Sequence, residues 1–235
     1  MIGVYDYTVW LTYGSLVSAM LGILVCLHGV GHPFVGVFFL LLSGLCDAFD
    51  GKVARRKQDR TEMEKNFGIQ IDSLADLVAF GVLPGCIGFA MLRVSERFQE
   101  APVIRPEDGE RLILYPILFG IIVLFYVLMA MVRLAYFNVT EEERSKEEGG
   151  VRKVYIGLPV TSAALIFPSM VLIQFATRID TTLIYFVALL VTGFLFVSRI
   201  RVRKPKLKGI LIMVGIGAAE FVMLFVLWWI FLRNR

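Results

Sequence analysis

Cysteine and histidine are scarce in this chain, at three and two among 235 residues. Cys26, Cys46 and Cys86 all fall in apolar runs and none is in a C-x-x-C spacing, which argues against disulfides and zinc and leaves small buried hydrophobes. His28 and His32 stand four apart, as helical metal ligands would, but Gly29, Gly31 and Pro33 predict a turn there instead. Charge is thin too. Only 19% of residues are charged and the net charge is +4, too small an excess to argue for nucleic acid, though it suits a surface facing anionic lipid head groups. Met1 to Tyr7 hold no basic stretch ahead of the first apolar run, so a cleaved signal peptide is not expected. Nor is there a long polar segment from which a separate soluble domain could be built.

What is abundant is apolar surface: 57% of residues are hydrophobic and the mean hydropathy is +0.74, more than a water-soluble core can hide. The bilayer is the expected solvent, and residues 1–235 read as a single all-α integral membrane domain. A hydrocarbon core of roughly 30 Å takes about 20 apolar residues per helix. Runs near 9–30, 33–50, 72–92, 112–136, 157–177, 181–198 and 209–232 predict a bundle of six to seven spans. The basic residues set its orientation. Six lie in 51–71, six in 199–208 and four in 138–156, against five in 93–111 and 178–180, so the first three stretches and the N-terminus are expected to face the cytoplasm. With seven spans Arg233 and Arg235 end up outside, against that rule, which questions a simple crossing by the last run. The sequon Asn138-Val139-Thr140 falls on the cytoplasmic side and is read as chance, and the acidic stretch Thr140 to Gly150 reads as a solvated loop.

The informative stretch is DAFDGKVARRKQDRTEMEKNFGIQIDSLAD, from Asp47 to Asp76. Asp47, Asp50, Gly51, Ala54 and Arg55 fall at i, i+3, i+4, i+7 and i+8, one face of a helix; Gly68, Asp72 and Asp76 fall at i, i+4 and i+8, again one face. Two facing helices would bring four carboxylates together at the cytoplasmic ends of two spans. Such a cluster is costly unless it is paired, hydrated or metal-bound, and hard oxygen ligands suit magnesium, manganese or calcium. Two divalent cations offset the repulsion. Gly51, Ala54 and Gly68 leave room for a nucleotide above such a site, and Arg55 lies beside that room with donors for a phosphate.

These residues resemble the signature of the CDP-alcohol phosphotransferase family, D-x2-D-G-x2-A-R followed by G-x3-D-x3-D, with every defined position filled by Asp47, Asp50, Gly51, Ala54, Arg55, Gly68, Asp72 and Asp76. The spacer Arg56 to Phe67 has twelve residues where many members have eight; four residues make about one helical turn, so the faces stay in phase. The resemblance implies transfer of a phosphatidyl group from CDP-diacylglycerol to an alcohol, with release of CMP. It implies magnesium or manganese held by the four aspartates, Asp76 also acting as general base, and the nucleotide bound at Gly51, Ala54, Arg55 and Gly68. The runs FGIQIDSLADLVAFGVLP (Phe67 to Pro84), RLAYFN (Arg133 to Asn138), Gly157-Leu158-Pro159 and Val197 to Arg201 are similar to the phosphatidylserine synthase branch, which implies L-serine as the acceptor. A homodimer is compatible with that reading, and membrane lipids are its surroundings.

Arg133, inside an apolar run near the cytoplasmic end of its span, is the expected partner for a phosphate or the acceptor carboxylate, with Asn138 beside it. Gly81-x3-Gly85 matches a helix-packing motif, though Pro84 between them more simply predicts a kink. Glu220, in the middle of the last run, is expected to make an interhelical hydrogen bond. Two rival readings are a sister enzyme using glycerol 3-phosphate or inositol phosphate, which needs more cations around the pocket, and a divalent-cation transporter, whose site belongs near the midplane rather than at helix ends.

Overall fold

Apolar helices satisfy their own backbone hydrogen bonds, which is why they are the form a lipid-embedded chain adopts. The computed structural model describes residues 3–29, 31–99, 114–147, 154–203, 215–226 and 229. The helices are α1 (Trp10–Leu27), α2 (Pro33–Ala54), α3 (Glu62–Asp76), α4 (Leu83–Val94), the short α5 (Glu96–Gln99), α6 (Leu114–Glu147), α7 (Ala163–Thr177), α8 (Thr182–Val197) and α9 (Gly215–Val226). Among the described residues five helical stretches are long and apolar enough to cross a membrane: Trp10–Leu27, Pro33–Ala54, Glu62–Val94, Ile117–Arg144 and Val160–Thr177, while α8 and α9 are shorter apolar helices. The chain is an integral membrane protein.

α1 and α2 form a tight hairpin. His32 caps α2 by accepting from the Phe34 N–H through Nδ1 at 3.2 Å, and Pro33 sits at the first helical position, where a missing N–H costs nothing. The ring of His32 packs edge-on to Phe175, and burial lowers its pKa. Small and hydroxylated residues let the two helices approach. Ser43 Oγ donates to the Ser15 carbonyl at 3.0 Å, and Ser18 Oγ to the Phe39 carbonyl at 2.9 Å.

α3 starts where its capping box predicts. Thr61 Oγ1 accepts from the Glu64 N–H at 3.2 Å and the Glu64 carboxylate accepts from the Thr61 N–H at 2.8 Å. The helix begins ten residues before the apolar run expected at 72–92, because the polar residues from Glu62 on continue its first turns. α3 and α4 are joined by a π-helical turn, Leu77–Val82, in which the Leu83 N–H donates to Val78. Pro84 follows and has no N–H for the Phe80 carbonyl. Tyr126 of α6 replaces it, its hydroxyl donating to Phe80 O at 2.7 Å, and Tyr185 of α8 donates to Pro84 O at 2.8 Å. Gly81 and Gly85 also serve close packing: an added Cβ at Gly81 would lie 3.4 Å from the Ala130 Cβ, and at Gly85 it would lie 2.5 Å from Val123. Tyr126, Tyr185, Phe80, Phe167, Phe186 and Phe196 fill the core at this level.

One expectation needs correction. Thr140 to Glu147 is helix rather than loop, since α6 continues to Glu147 with good helix formers and an Arg144–Glu141 ion pair at 2.5 Å; Gly149 and Gly150 lie outside the described residues. The fold is all-α as expected; among the described residues one short antiparallel ribbon of β1 (Val154–Ile156) and β2 (Arg201–Arg203), with Tyr155 opposite Val202, accompanies the helices. Gly157 ends β1 at φ +80°, donating to the Ile200 carbonyl at 2.7 Å, where a Cβ would lie 2.5 Å from Phe196 O. Glu220 makes the expected interhelical bond, accepting from Ser169 of α7.

Candidate active site

The C-terminal half of α2 and the whole of α3 carry the two predicted faces. Carboxylate oxygens of Asp47, Asp50 and Asp72 lie within 4.8 Å of one another. Across the interface Asp47 meets Asp76 and Asp50 meets Asp72 at hydrogen-bonding range. Asp47 and Asp76 are the inner pair, one helical turn further into the bundle, and Asp76 is buried, with 8% of its surface exposed. Thr12 of α1 donates to Asp50 at 3.3 Å, and the Gly51 N–H also points at that carboxylate. Among the described residues no Lys or Arg forms an ion pair with any of the four. Four clustered carboxylates, all hard oxygen donors and none ion-paired among the described residues, fit divalent cations of the magnesium or manganese kind.

Outside the carboxylates a cavity of about 170 Å³ opens between α1, α2 and α3. Asp50 and Asp72 border it, with Gly51, Ala54, Arg55 and Gly68. The structure thus gathers every residue of the expected nucleotide set around one space. Arg55 caps α2 and folds back along it, so that a Cβ on Gly51 would lie 3.3 Å from Arg55 Nη1.

Arg133 and Asn138 are not among the lining residues. Arg133 is buried beneath the loop after β1, donating from Nε to the Leu158 carbonyl at 3.1 Å, with its guanidinium 5.6 Å from the Phe137 ring centre. Asn138 donates from Nδ2 to Ser73 Oγ at 2.8 Å, tying α6 to the residue after Asp72. The cavity also takes in residues the sequence did not flag: Thr8, Thr12, Arg60 and Lys65. Thr61-x-x-Glu64 was readable as a helix start, and that would have put Arg60 at the mouth of the site. Nearby, Lys57 Nζ bridges Asp6 at 2.7 Å and Glu64 at 2.8 Å, which pins the N-terminal segment to the turn between α2 and α3. The Lys57 hydrogen bond, helped by Thr8, holds the Asp6 carboxyl down at about 2.

Residues 8–233 match the family model described as CDP-alcohol phosphatidyltransferase. Three relatives carry the name CDP-diacylglycerol–serine O-phosphatidyltransferase. That of Saccharomyces cerevisiae is 35% identical over 157 residues, 63% of this chain and 48% of its own length. That of Helicobacter pylori (strain 26695) is 28% identical over 188 residues, 78% of this chain and 67% of its own. That of Bacillus subtilis is 30% identical over 156 residues, 66% of this chain and 69% of its own. The match therefore spans about half the length of the yeast protein and about two thirds of the two bacterial ones.

Proposed function

Because the chain belongs to the CDP-alcohol phosphatidyltransferase family, we propose that it transfers the phosphatidyl group of CDP-diacylglycerol to the hydroxyl of L-serine, giving phosphatidylserine and CMP. The observation that carries this is the set of three carboxylates within 4.8 Å, none of them ion-paired among the described residues, beside a cavity bordered by Gly51 and Gly68. Asp47, Asp50, Asp72 and Asp76 would hold two divalent cations, magnesium or manganese, which offset charge on the diphosphate and on the leaving CMP. The serine oxygen attacks the phosphatidyl phosphorus, the bond to CMP breaks, and Asp76 takes the hydroxyl proton. Gly51, Ala54 and Gly68 admit the nucleotide to the backbone, and Arg55 supplies paired donors for its phosphate. Arg133 is the cation proposed for the serine carboxylate, and Asn138 positions Ser73 beside Asp72. The basic stretches around the site support an active site facing the cytoplasm, with the lipid entering sideways from the bilayer and serine and CMP exchanging with water. The relatives' names support serine over other acceptors.

The test is CMP release by the purified protein from CDP-diacylglycerol with serine, glycerol 3-phosphate or inositol phosphate as acceptor. Serine should support release, excess chelator should abolish it, and magnesium or manganese should restore it. Release with a phosphorylated acceptor and none with serine would overturn the acceptor; undiminished release in chelator would overturn the metal site.

A further inference from the structure

Arg60 lies outside the signature, in the turn between α2 and α3, directly before the Thr61 cap. Its guanidinium reaches the same cavity as Asp50 and Asp72 and rests on Gly68, where an added Cβ would lie 2.7 Å from Nη2. Nη2 donates to the Glu64 carbonyl at 3.1 Å, which anchors the side chain to the first turn of α3. Nε is buried and meets no acceptor among the described residues. A guanidinium offers five donors in a planar fork, and a buried N–H without an acceptor is a cost that a bound acceptor relieves.

The polarity of the site says which part of a ligand arrives there. A diphosphate belongs at the carboxylate end, with the cations that the carboxylates fit. The nucleoside then runs outward along Gly51, Ala54 and Gly68, and Gly68 lies one turn above Asp72 on the same face of α3. The Arg60 guanidinium covers Gly68 and therefore meets the nucleoside end.

We infer that Arg60 reads the base of the liponucleotide, its N–H fork donating to O2 and N3 of cytosine. This rests on the function proposed above. Cytosine presents two adjacent acceptors on that edge. Uracil presents an N–H at N3, so one donor of the fork would face another donor. Arg60 is in this sense a specificity-determining residue for cytidine over uridine, supplied by the long spacer rather than by the signature.

The experiment measures binding of CMP, UMP and ribose 5-phosphate, with manganese, to the full chain in detergent. It compares the wild type with Arg60→Ala, Arg60→Lys and Gly68→Ala. The wild type should prefer CMP to UMP. Arg60→Ala should weaken CMP about ten- to a hundredfold, the loss of hydrogen bonds from a charged donor, while changing UMP and ribose 5-phosphate little. Arg60→Lys keeps the charge but not the fork, so it should not restore the preference. Gly68→Ala adds a methyl that must push the guanidinium away, and it should lower the CMP-to-UMP ratio in the same direction. Equal weakening of CMP and ribose 5-phosphate by Arg60→Ala would make Arg60 a phosphate ligand and overturn the base reading. Wild-type CMP binding with an unchanged ratio in the variants would overturn the Arg60 assignment alone. A wild type that binds none of the three would overturn the proposed function with it.

Discussion

Tyr126→Phe removes one oxygen from the core and keeps the ring, so its cost isolates a single hydrogen bond. The Phe80 carbonyl has no donor from position 84, because Pro84 has no N–H, and the Tyr126 hydroxyl at 2.7 Å is its replacement. Without that hydroxyl the carbonyl loses its side-chain donor in a buried, apolar setting, a penalty expected at about 1–3 kcal/mol. Tyr185→Phe is the internal control. Its hydroxyl bonds Pro84 O at 2.8 Å, but that carbonyl lies in the first turn of α4 and already has a donor from its own helix, so the loss should be about 0.5–1.5 kcal/mol. SDS-driven unfolding in mixed micelles gives both values. Pro84→Ala closes the cycle by returning an N–H within reach of Phe80 O, and in that background Tyr126→Phe should cost much less. Asp76 directly precedes the π-helical turn, so CMP release should fall along with stability. The reasoning is refuted if Tyr126→Phe costs no more than Tyr185→Phe, or if its cost is the same in the Pro84→Ala background as in the wild type.

Three further outcomes are expected. Asp76→Asn should lower CMP release by about a hundredfold or more through loss of the base; near-normal turnover at unchanged metal affinity, measured by manganese titration, would remove that role. Arg133→Ala should raise the serine KM by at least about tenfold and the CDP-diacylglycerol KM much less, and equal effects on both would leave Arg133 only as the anchor of the Leu158 loop. The Asp6 carboxyl is held at about 2 by Lys57, below its ordinary value near 4, so its contribution is complete above about pH 4 and is lost as pH falls through about 2. The stability gap between wild type and Asp6→Asn should therefore close over that window, and a gap independent of pH would show that the Lys57 bridge does not contribute.

The aspartates were legible because helical spacing alone puts Asp47 with Asp50 and Asp72 with Asp76, and the structure needs only to face α2 with α3. Gly51, Ala54 and Gly68 followed from the same periodicity. Arg60 was not legible, because its contact with Gly68 depends on how an irregular turn folds back, and no period governs a turn. Thr12 was hidden for a different reason: it reaches Asp50 from another helix, 38 residues away in sequence. The stretch after Thr140 was misread by composition, since Glu, Arg and Lys at i, i+3 spacing serve a solvated helix as well as a loop. Strands of three residues beside a basic stretch leave no alternation long enough to see.

The π-helical turn has a consequence for how the gene can vary. An α-helix advances about 100° per residue. The turn at Leu77–Val82 resets the angular phase between the half of the span that carries Asp72 and Asp76 and the half that carries Gly85 and Gly88. Gly85 faces Val123 of α6, and Gly88 faces Tyr185 and Phe186 of α8. A one-codon deletion that tightened the turn to ordinary α-helix would keep the carboxylates and both glycines on their faces, because a π-helical turn holds about one residue more than the α-helical turn it replaces. The length of this segment can thus shrink by that one residue, whereas exchange is restricted at Gly81, where an added Cβ would lie 3.1 Å from Leu77 Cδ1.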